Sequence, residues 1–340
     1  MYFQALALFI ASFVLALPWW TGYGRNFLAR TPVVNLSVAA IQKNRVGVEQ
    51  KSASQGFVYT NFPVSPERET PHLVGPSSFQ KEITAQSALV IDSASNAVLF
   101  KKNIDEVRPI GSITKLITAL TVIDLKPNWN ELVTIESKDG TQGPLVVQTG
   151  DVVSIGDLLR VGLVASSNNA ISALTRSTGL TREDFVVRMN EKAAALGLSA
   201  SHFVEPTGLD KENKSTASDV ARLVSAAFAE EEIRRITSMT SYKFRVRNTN
   251  KMRVARSTDL LLSTSGFART AIARVVGGKT GFIDEAGYCF AMEAEGTKKQ
   301  RLIVVVLGSH DHWSRFAEAA DLAAWAFKNF EWPSKTALGG

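Results

Sequence analysis

Ile110-Gly111-Ser112-Ile113-Thr114-Lys115-Leu116-Ile117-Thr118-Ala119-Leu120-Thr121-Val122-Ile123 is the stretch on which the reading of the chain turns. Ile113, Leu116, Ile117, Leu120 and Ile123 recur at helical spacing, so the run predicts a helix. Its side chains are almost all apolar as far as Leu125, which suits a buried helix. Lys115 is the exception. Ser112 opens the helix one turn earlier, so the two side chains occupy neighbouring positions on its surface. Burial strips solvent from a lysine and lowers its pKa. A neutral amine beside a serine hydroxyl is a general base beside a nucleophile. The free N–H groups of a helix N-terminus lie near the same serine. The same four letters also arise from a capping serine followed by a snorkelling lysine. Ser78-Phe79-Gln80-Lys81 has that spacing with no apolar helix behind it.

Upstream, Ala88–Ile91 and Ala97–Phe100 are short apolar runs separated by Asp92-Ser93-Ala94-Ser95-Asn96, which predicts a β-hairpin. Downstream, helices are expected at Ile155–Val164 and Ala170–Ser177. Thr181 with Asp184 forms a capping box opening another, to about Leu196, and Thr216 with Asp219 opens a fifth. Strand patterns return at Ala273–Gly277, Gly287–Glu293 and Leu302–Leu307. A final amphipathic helix spans about Trp313–Phe330. The order is strands, a helical block, strands, then a helix. This predicts an α+β fold, with one antiparallel sheet from N- and C-terminal strands and the helices inserted between them.

The 340 residues carry a net charge of +6, and the mean hydropathy is +0.02. Such a composition excludes a disordered or collagen-like chain. The charge is dispersed over the sequence and matches no nucleic-acid motif. It suits anionic wall or lipid surfaces instead. The single cysteine, Cys289, excludes internal disulfides and multi-cysteine metal sites. Its place in a strand pattern reads as a small buried apolar residue. His72, His202, His310 and His312 are scattered and form no zinc signature, so no metal or cofactor is expected. Residues 1–24 contain no charged side chain and are long enough to span a bilayer. Trp19, Trp20 and Tyr23 fall where an interfacial belt would lie. With neither a basic start nor a clear cleavage site, an uncleaved membrane anchor is favoured over a signal peptide. Arg25 and Arg30 bias the following segment weakly toward the inner side. Residues 25–80, with Pro32, Pro63, Pro66, Pro71 and Pro76, read as a tether, and residues 81–333 as one catalytic domain.

Two further motifs follow the first. Ser166-Ser167-Asn168 lies between two expected helices, and Lys279-Thr280-Gly281 lies at a strand after Gly277-Gly278. Each alone is ordinary turn or strand-edge material. Together, in this order, they match the active-serine pattern S-x-x-K, S-x-N, K-T-G. On these residues the chain resembles the penicillin-recognising serine D,D-peptidases, the low-molecular-mass D-alanyl-D-alanine carboxypeptidases and endopeptidases. Arg108–Leu116 is similar to the family's nucleophile segment, and His202-Phe203-Val204-Glu205-Pro206-Thr207-Gly208-Leu209 to its mid-domain turn. Ser215–Asp219, Asn248-Thr249-Asn250 and Ala286-Gly287-Tyr288 also have counterparts. The resemblance covers about residues 84–330 and is nearest to the single-domain, endopeptidase-like branch. Residues between Val254 and Gly277 depart from the family's strand pairing. Phe282 replaces a polar residue often found after Lys-Thr-Gly.

The resemblance implies a β-lactamase/transpeptidase-like fold and a set of roles. Ser112 attacks the carbonyl of the penultimate D-alanine of a peptidoglycan stem peptide and forms an acyl-enzyme. Lys115 takes its proton, and Ser166 and Asn168 complete the proton network and hold substrate. Lys279, Thr280 and Gly281 bind the substrate's carboxylate end. The backbone N–H groups of Ser112 and Phe282 form the oxyanion hole, and β-lactams acylate the same serine. The implied location is extracytoplasmic, with the chain anchored or secreted. Three alternatives stand beside this reading: a penicillin-binding sensor, a non-hydrolytic scaffold and a β-lactamase. Glu183 and Asp184 sit at a helix start and read as capping and dipole residues rather than a deacylating base.

Overall fold

A computed structural model describes residues 70–263 and 271–333. The expected anchor at residues 1–24 and most of the tether lie outside these. Five strands form the main sheet: β1 (Ser87–Asp92), β2 (Val98–Lys102), β3 (Ile272–Ile283), β4 (Gly287–Gly296) and β5 (Arg301–Ser309). Their order is β3-β4-β5-β1-β2, with every neighbour antiparallel. The register pairs Val304 with Val90 and Val305 with Leu89, so the first strand is held at its centre by one of the last. This is the α+β arrangement expected from the order of elements.

Among the described residues, seven α-helices pack around the sheet. They are α1 (Lys115–Asp124), α2 (Ile155–Val164), α3 (Asn168–Arg176), α4 (Arg182–Ala195), α5 (Ala217–Ala229), α6 (Glu231–Thr237) and α7 (Ser314–Asn329). Strand alternation sends side chains to both faces. Leu89, Ile91, Ala291, Ile303 and Val305 pack into one core with α1 to α6. Ala88, Val90, Met292, Val304 and Val306 pack into another with Phe316, Ala319 and Ala323 of α7. The sheet is therefore covered on both faces, and its strands read as apolar runs rather than as an alternation.

Helix starts follow their capping chemistry. Ser154 accepts from the Asp157 amide at 3.1 Å, Thr181 from Asp184 at 3.0 Å and Thr216 from Asp219 at 3.1 Å. The α1 helix is buried from Lys115 to Val122. Ser112 is not in its first turn. It lies in a 3₁₀ turn at Gly111–Thr114 that precedes α1, because Gly111 enters at φ +53°.

Two parts of the chain differ from expectation. Residues 70–80, placed in the tether, touch the folded body: His72–Leu73 pairs with Phe330–Glu331, and Phe79 meets Phe100 and Trp325 edge-on at 5.8 and 6.0 Å. At the start of the Val254–Gly277 stretch, where the family pairing is hard to read, strand Met252–Arg256 forms a hairpin with Ser241–Arg245. Only one residue of each of these strands is buried, so their hydrophobic pattern is faint.

Candidate active site

The site forms where the start of α1, the α2–α3 junction, the 205–209 turn and edge strand β3 meet. Close backbone approach makes this possible. A side chain on Gly208, at φ +86°, would strike the Gly111 carbonyl. A side chain on Gly111 would meet the Phe282 nitrogen at 2.7 Å. The Gly111–Ser112 backbone is thus held between the turn and β3, with the Phe282 nitrogen beside it.

Lys115 is completely buried and makes three hydrogen bonds. Its Nζ donates to Ser112 Oγ at 2.7 Å, to Asn168 Oδ1 at 2.6 Å and to the Thr207 carbonyl at 2.6 Å. Desolvation lowers its pKa to about 7, while the carboxylate of Glu205 opposes the drop. At neutral pH a large fraction of Lys115 is therefore unprotonated beside a partly exposed serine hydroxyl.

Ser166, Asn168 and Lys279 complete the wall. Ser166 has φ +56°, a left-handed conformation uncommon for a residue with a side chain. Its Oγ accepts from Lys279 Nζ at 2.8 Å, not from Lys115. The two lysines thus divide the S-x-N motif, with Lys115 on Asn168 and Lys279 on Ser166. Asn168 is steadied from behind, its Nδ2 donating to the Gln142 carbonyl at 3.2 Å. Lys279 is 1% exposed. Burial, and then the nearby cations Lys115 and Arg315, hold it well below the usual lysine range, against Asp259. Thr280 Oγ1 is 2.7 Å from Thr258 Oγ1. A side chain on Gly281 would strike the Ile110 carbonyl, so this position brings β3 against the nucleophile segment.

Several contributors were not read from the sequence. Arg315 of α7 donates to the Gly281 carbonyl at 3.1 Å, and its guanidinium lies 5.4 Å from the Tyr288 ring centre. His312 stands 2.9 Å from the same guanidinium. A lone arginine on an amphipathic helix reads as a solvent-facing side chain, and only the fold carries it to β3. Glu205, read only as part of a turn, is 4% exposed, and its carboxylate accepts from the amides of Thr207, Gly208 and Leu209. Its oxygens are turned into its own loop, which leaves it unsuited to activating a deacylating water. Cys289 is completely buried, with its thiol pushed up to about 11 by desolvation, and is no second nucleophile.

A cleft of about 790 Å³ adjoins the site at Asn168, Glu205 and Thr207, and its lining does not include Ser112, Lys115, Ser166 or Lys279. Asn168, Thr207, Leu209, Arg176 and Arg182 are among its lining residues.

The chain was compared with known proteins. Residues 75–311 match the profile of the family described as D-alanyl-D-alanine carboxypeptidase. Over 249 residues the chain is 33% identical to the D-alanyl-D-alanine endopeptidase of Pseudomonas aeruginosa, covering 72% of this chain and 78% of that protein. With the D-alanyl-D-alanine endopeptidase of Escherichia coli K12 it shares 29% over 275 residues, 77% of this chain and 84% of the other. The crystal structure of the Streptomyces K15 DD-transpeptidase aligns with a TM-score of 0.66 at 26% identity, covering 74% of this chain and 100% of that one. Penicillin-binding protein D2 of Listeria monocytogenes, in its cefotaxime-bound form, aligns with a TM-score of 0.62 at 28% identity over 73% of this chain. The fold, the profile match and these identities agree: the chain belongs to the D-alanyl-D-alanine carboxypeptidase family of penicillin-recognising proteins and is a serine D,D-peptidase.

Proposed function

We propose that Ser112 is the nucleophile and Lys115 its general base, acting on D-alanyl peptides of peptidoglycan. The observation that carries this is the 2.7 Å contact between Ser112 Oγ and the Nζ of a completely buried lysine. Neutral Lys115 accepts the serine proton as Oγ attacks the carbonyl of the penultimate D-alanine. The N–H groups of Ser112 and Phe282 stabilise the charge that develops on that carbonyl oxygen, and donors of this kind are commonly worth ~3–4 kcal/mol of barrier. The proton passes from Lys115 to the departing amine, leaving an acyl-enzyme that water hydrolyses. Lys279 receives the substrate's carboxylate, with Ser166 and Thr280 beside it. An arriving anion raises the pKa of a buried lysine, so Lys279 takes up its charge as substrate binds. Asn168 holds both Lys115 and substrate.

The substrate assignment extends to cross-linked stems. A cleft of about 790 Å³ adjoins Asn168 and Thr207 and is large enough to take peptide beyond a terminal D-alanine. The relatives from Pseudomonas and Escherichia named as endopeptidases support the same choice. Action on the wall implies an extracytoplasmic location, with residues 1–24 as anchor or signal and residues 25–69 as a spacer.

The test is covalent labelling with a fluorescent penicillin, run beside muropeptide digestion. The wild-type protein is expected to label and to cleave dimeric muropeptides, and Ser112→Ala to do neither. Labelling of Ser112→Ala would sink the nucleophile assignment. Loss of only the terminal D-alanine from pentapeptides would make the chain a carboxypeptidase. Labelling with no change in any muropeptide would favour a sensor or scaffold.

A further inference from the structure

The 205–213 turn holds an arrangement that the catalytic roles above do not use. Glu205 Oε2 accepts from Thr207 N and Thr207 Oγ1, both at 2.6 Å. Oε1 accepts from Gly208 N at 2.5 Å, Leu209 N at 2.8 Å and Asn213 Nδ2 at 2.7 Å. Asn213 Nδ2 also donates to the Glu205 carbonyl at 2.9 Å, tying both ends of the residue. This buried carboxylate is satisfied by N–H and O–H groups of its own loop. The buried amine of Lys115 stands across one peptide unit from it.

That unit is Thr207–Gly208. Its N–H end donates to the Glu205 carboxylate, and its carbonyl end accepts from Lys115 Nζ at 2.6 Å. An anion on the N–H side pushes electron density toward the carbonyl oxygen, which makes it a stronger acceptor. The peptide is a polarised bridge between a buried anion and a buried amine. The same peptide is pinned on its other side, because a side chain on Gly208 would meet Ser112 N at 2.8 Å. Movement of the turn therefore moves base and nucleophile together.

We propose that Glu205 is a positioning residue for the general base: through the Thr207–Gly208 peptide it holds Lys115 Nζ against Ser112. The other groups facing Lys115 are accounted for. Ser112 and Asn168 are neutral. Lys279 on β3 is itself held well below the usual lysine range by burial, Lys115 and Arg315 of α7, against Asp259. Glu205 is the anion that counters burial at Lys115. Without it, Lys115 stays neutral to lower pH but loses the polarised acceptor that fixes Nζ.

This inference rests on the acylation reading above, and the test separates the two. Acylation by a chromogenic cephalosporin is followed from pH 5 to 10 in the wild-type chain, Glu205→Gln, Glu205→Asp and Asn213→Ala, with thermal melts alongside. Wild-type acylation is expected to rise with pH through an acid limb near the Lys115 titration. Glu205→Gln removes the charge and moves that limb down by roughly one pH unit. Glu205→Asp and Asn213→Ala loosen the loop but keep the charge, so they lower the plateau and leave the limb in place. Equal limbs in all folded variants would reduce Glu205 to scaffolding. Absence of acylation in the wild type would overturn the nucleophile reading instead. If Glu205→Gln does not fold, a carbon NMR titration of lysine-labelled wild type decides. With glycine nitrogen labelled as well, the Gly208 amide signal must move as the Lys115 Cε signal titrates, as a peptide bonded at both ends requires, and an unmoved Gly208 amide overturns the proposal.

Discussion

Ser78–Lys81 and Ser112–Lys115 carry the same serine-to-lysine spacing in very different surroundings. Lys81 reaches into solvent, its side chain 63% exposed, and pairs with Asp321 at 2.7 Å. The Ser78 hydroxyl is engaged by the Gln80 amide, and its neighbour Phe79 anchors the segment on Phe100 and Trp325. Lys115 has no exposed surface and points at Ser112, Asn168 and Thr207. Spacing supplies only the placement of two side chains one turn apart. The chemistry comes from what surrounds the amine: an apolar helix that removes water, and three oxygens that fix its direction.

Substitutions can break this comparison or sharpen it. Lys115→Ala is expected to slow β-lactam acylation by roughly 10³-fold, within the range for loss of a general base, while Lys81→Ala leaves it unchanged. Stopped-flow acylation rates on both variants check this, and a Lys115→Ala rate within tenfold of wild type would remove the distinction between the two sites. Gly208→Ala tests the scaffolding that only the second tetrad has. A β-carbon at φ +86° pressed against the Gly111 carbonyl is expected to cost about 2–4 kcal/mol in urea denaturation. Acylation is expected to fall with it, and an unchanged denaturation midpoint would mean that the turn yields easily. The smallest effect belongs to the first tetrad. Loss of the exposed Lys81–Asp321 pair is expected to change stability by less than about 1 kcal/mol in the same denaturation experiment.

The same contrast explains what could be read before the fold was known. Local rules worked where the signal lies within a few residues. Capping pairs placed the starts of α4 and α5, and apolar periodicity placed α2 at Ile155–Val164. The three motifs were legible because each is contiguous. Contributions that need the fold to bring distant residues together were not. Arg315 meets the Gly281 carbonyl from 34 residues away in the chain. Glu205 serves Lys115 through a peptide of its own turn, so nothing in its spacing from Lys115 marks it. The pairing of Ser166 with Lys279 rather than Lys115 depends on a left-handed backbone at Ser166 that its letter does not encode. The 70–80 segment looked like linker because its strand is two residues long and its anchor is a single phenylalanine.

The sheet order has a consequence for how the molecule is made. Strand β1 sits between β2 and β5, and β5 is the last strand of the sheet in the chain. A chain emerging from its N-terminal end therefore presents β1 and β2 as an orphan hairpin until residues 301–309 arrive. The helices meanwhile have only Leu89 and Ile91 of β1 to close on, since Ala291, Ile303 and Val305 complete their core. Loop closure over such a separation makes assembly slow and late. Ser112, encoded early, is faced by Lys279 and the Phe282 nitrogen only when β3 docks, so a nascent or truncated chain carries the serine without the wall that surrounds it.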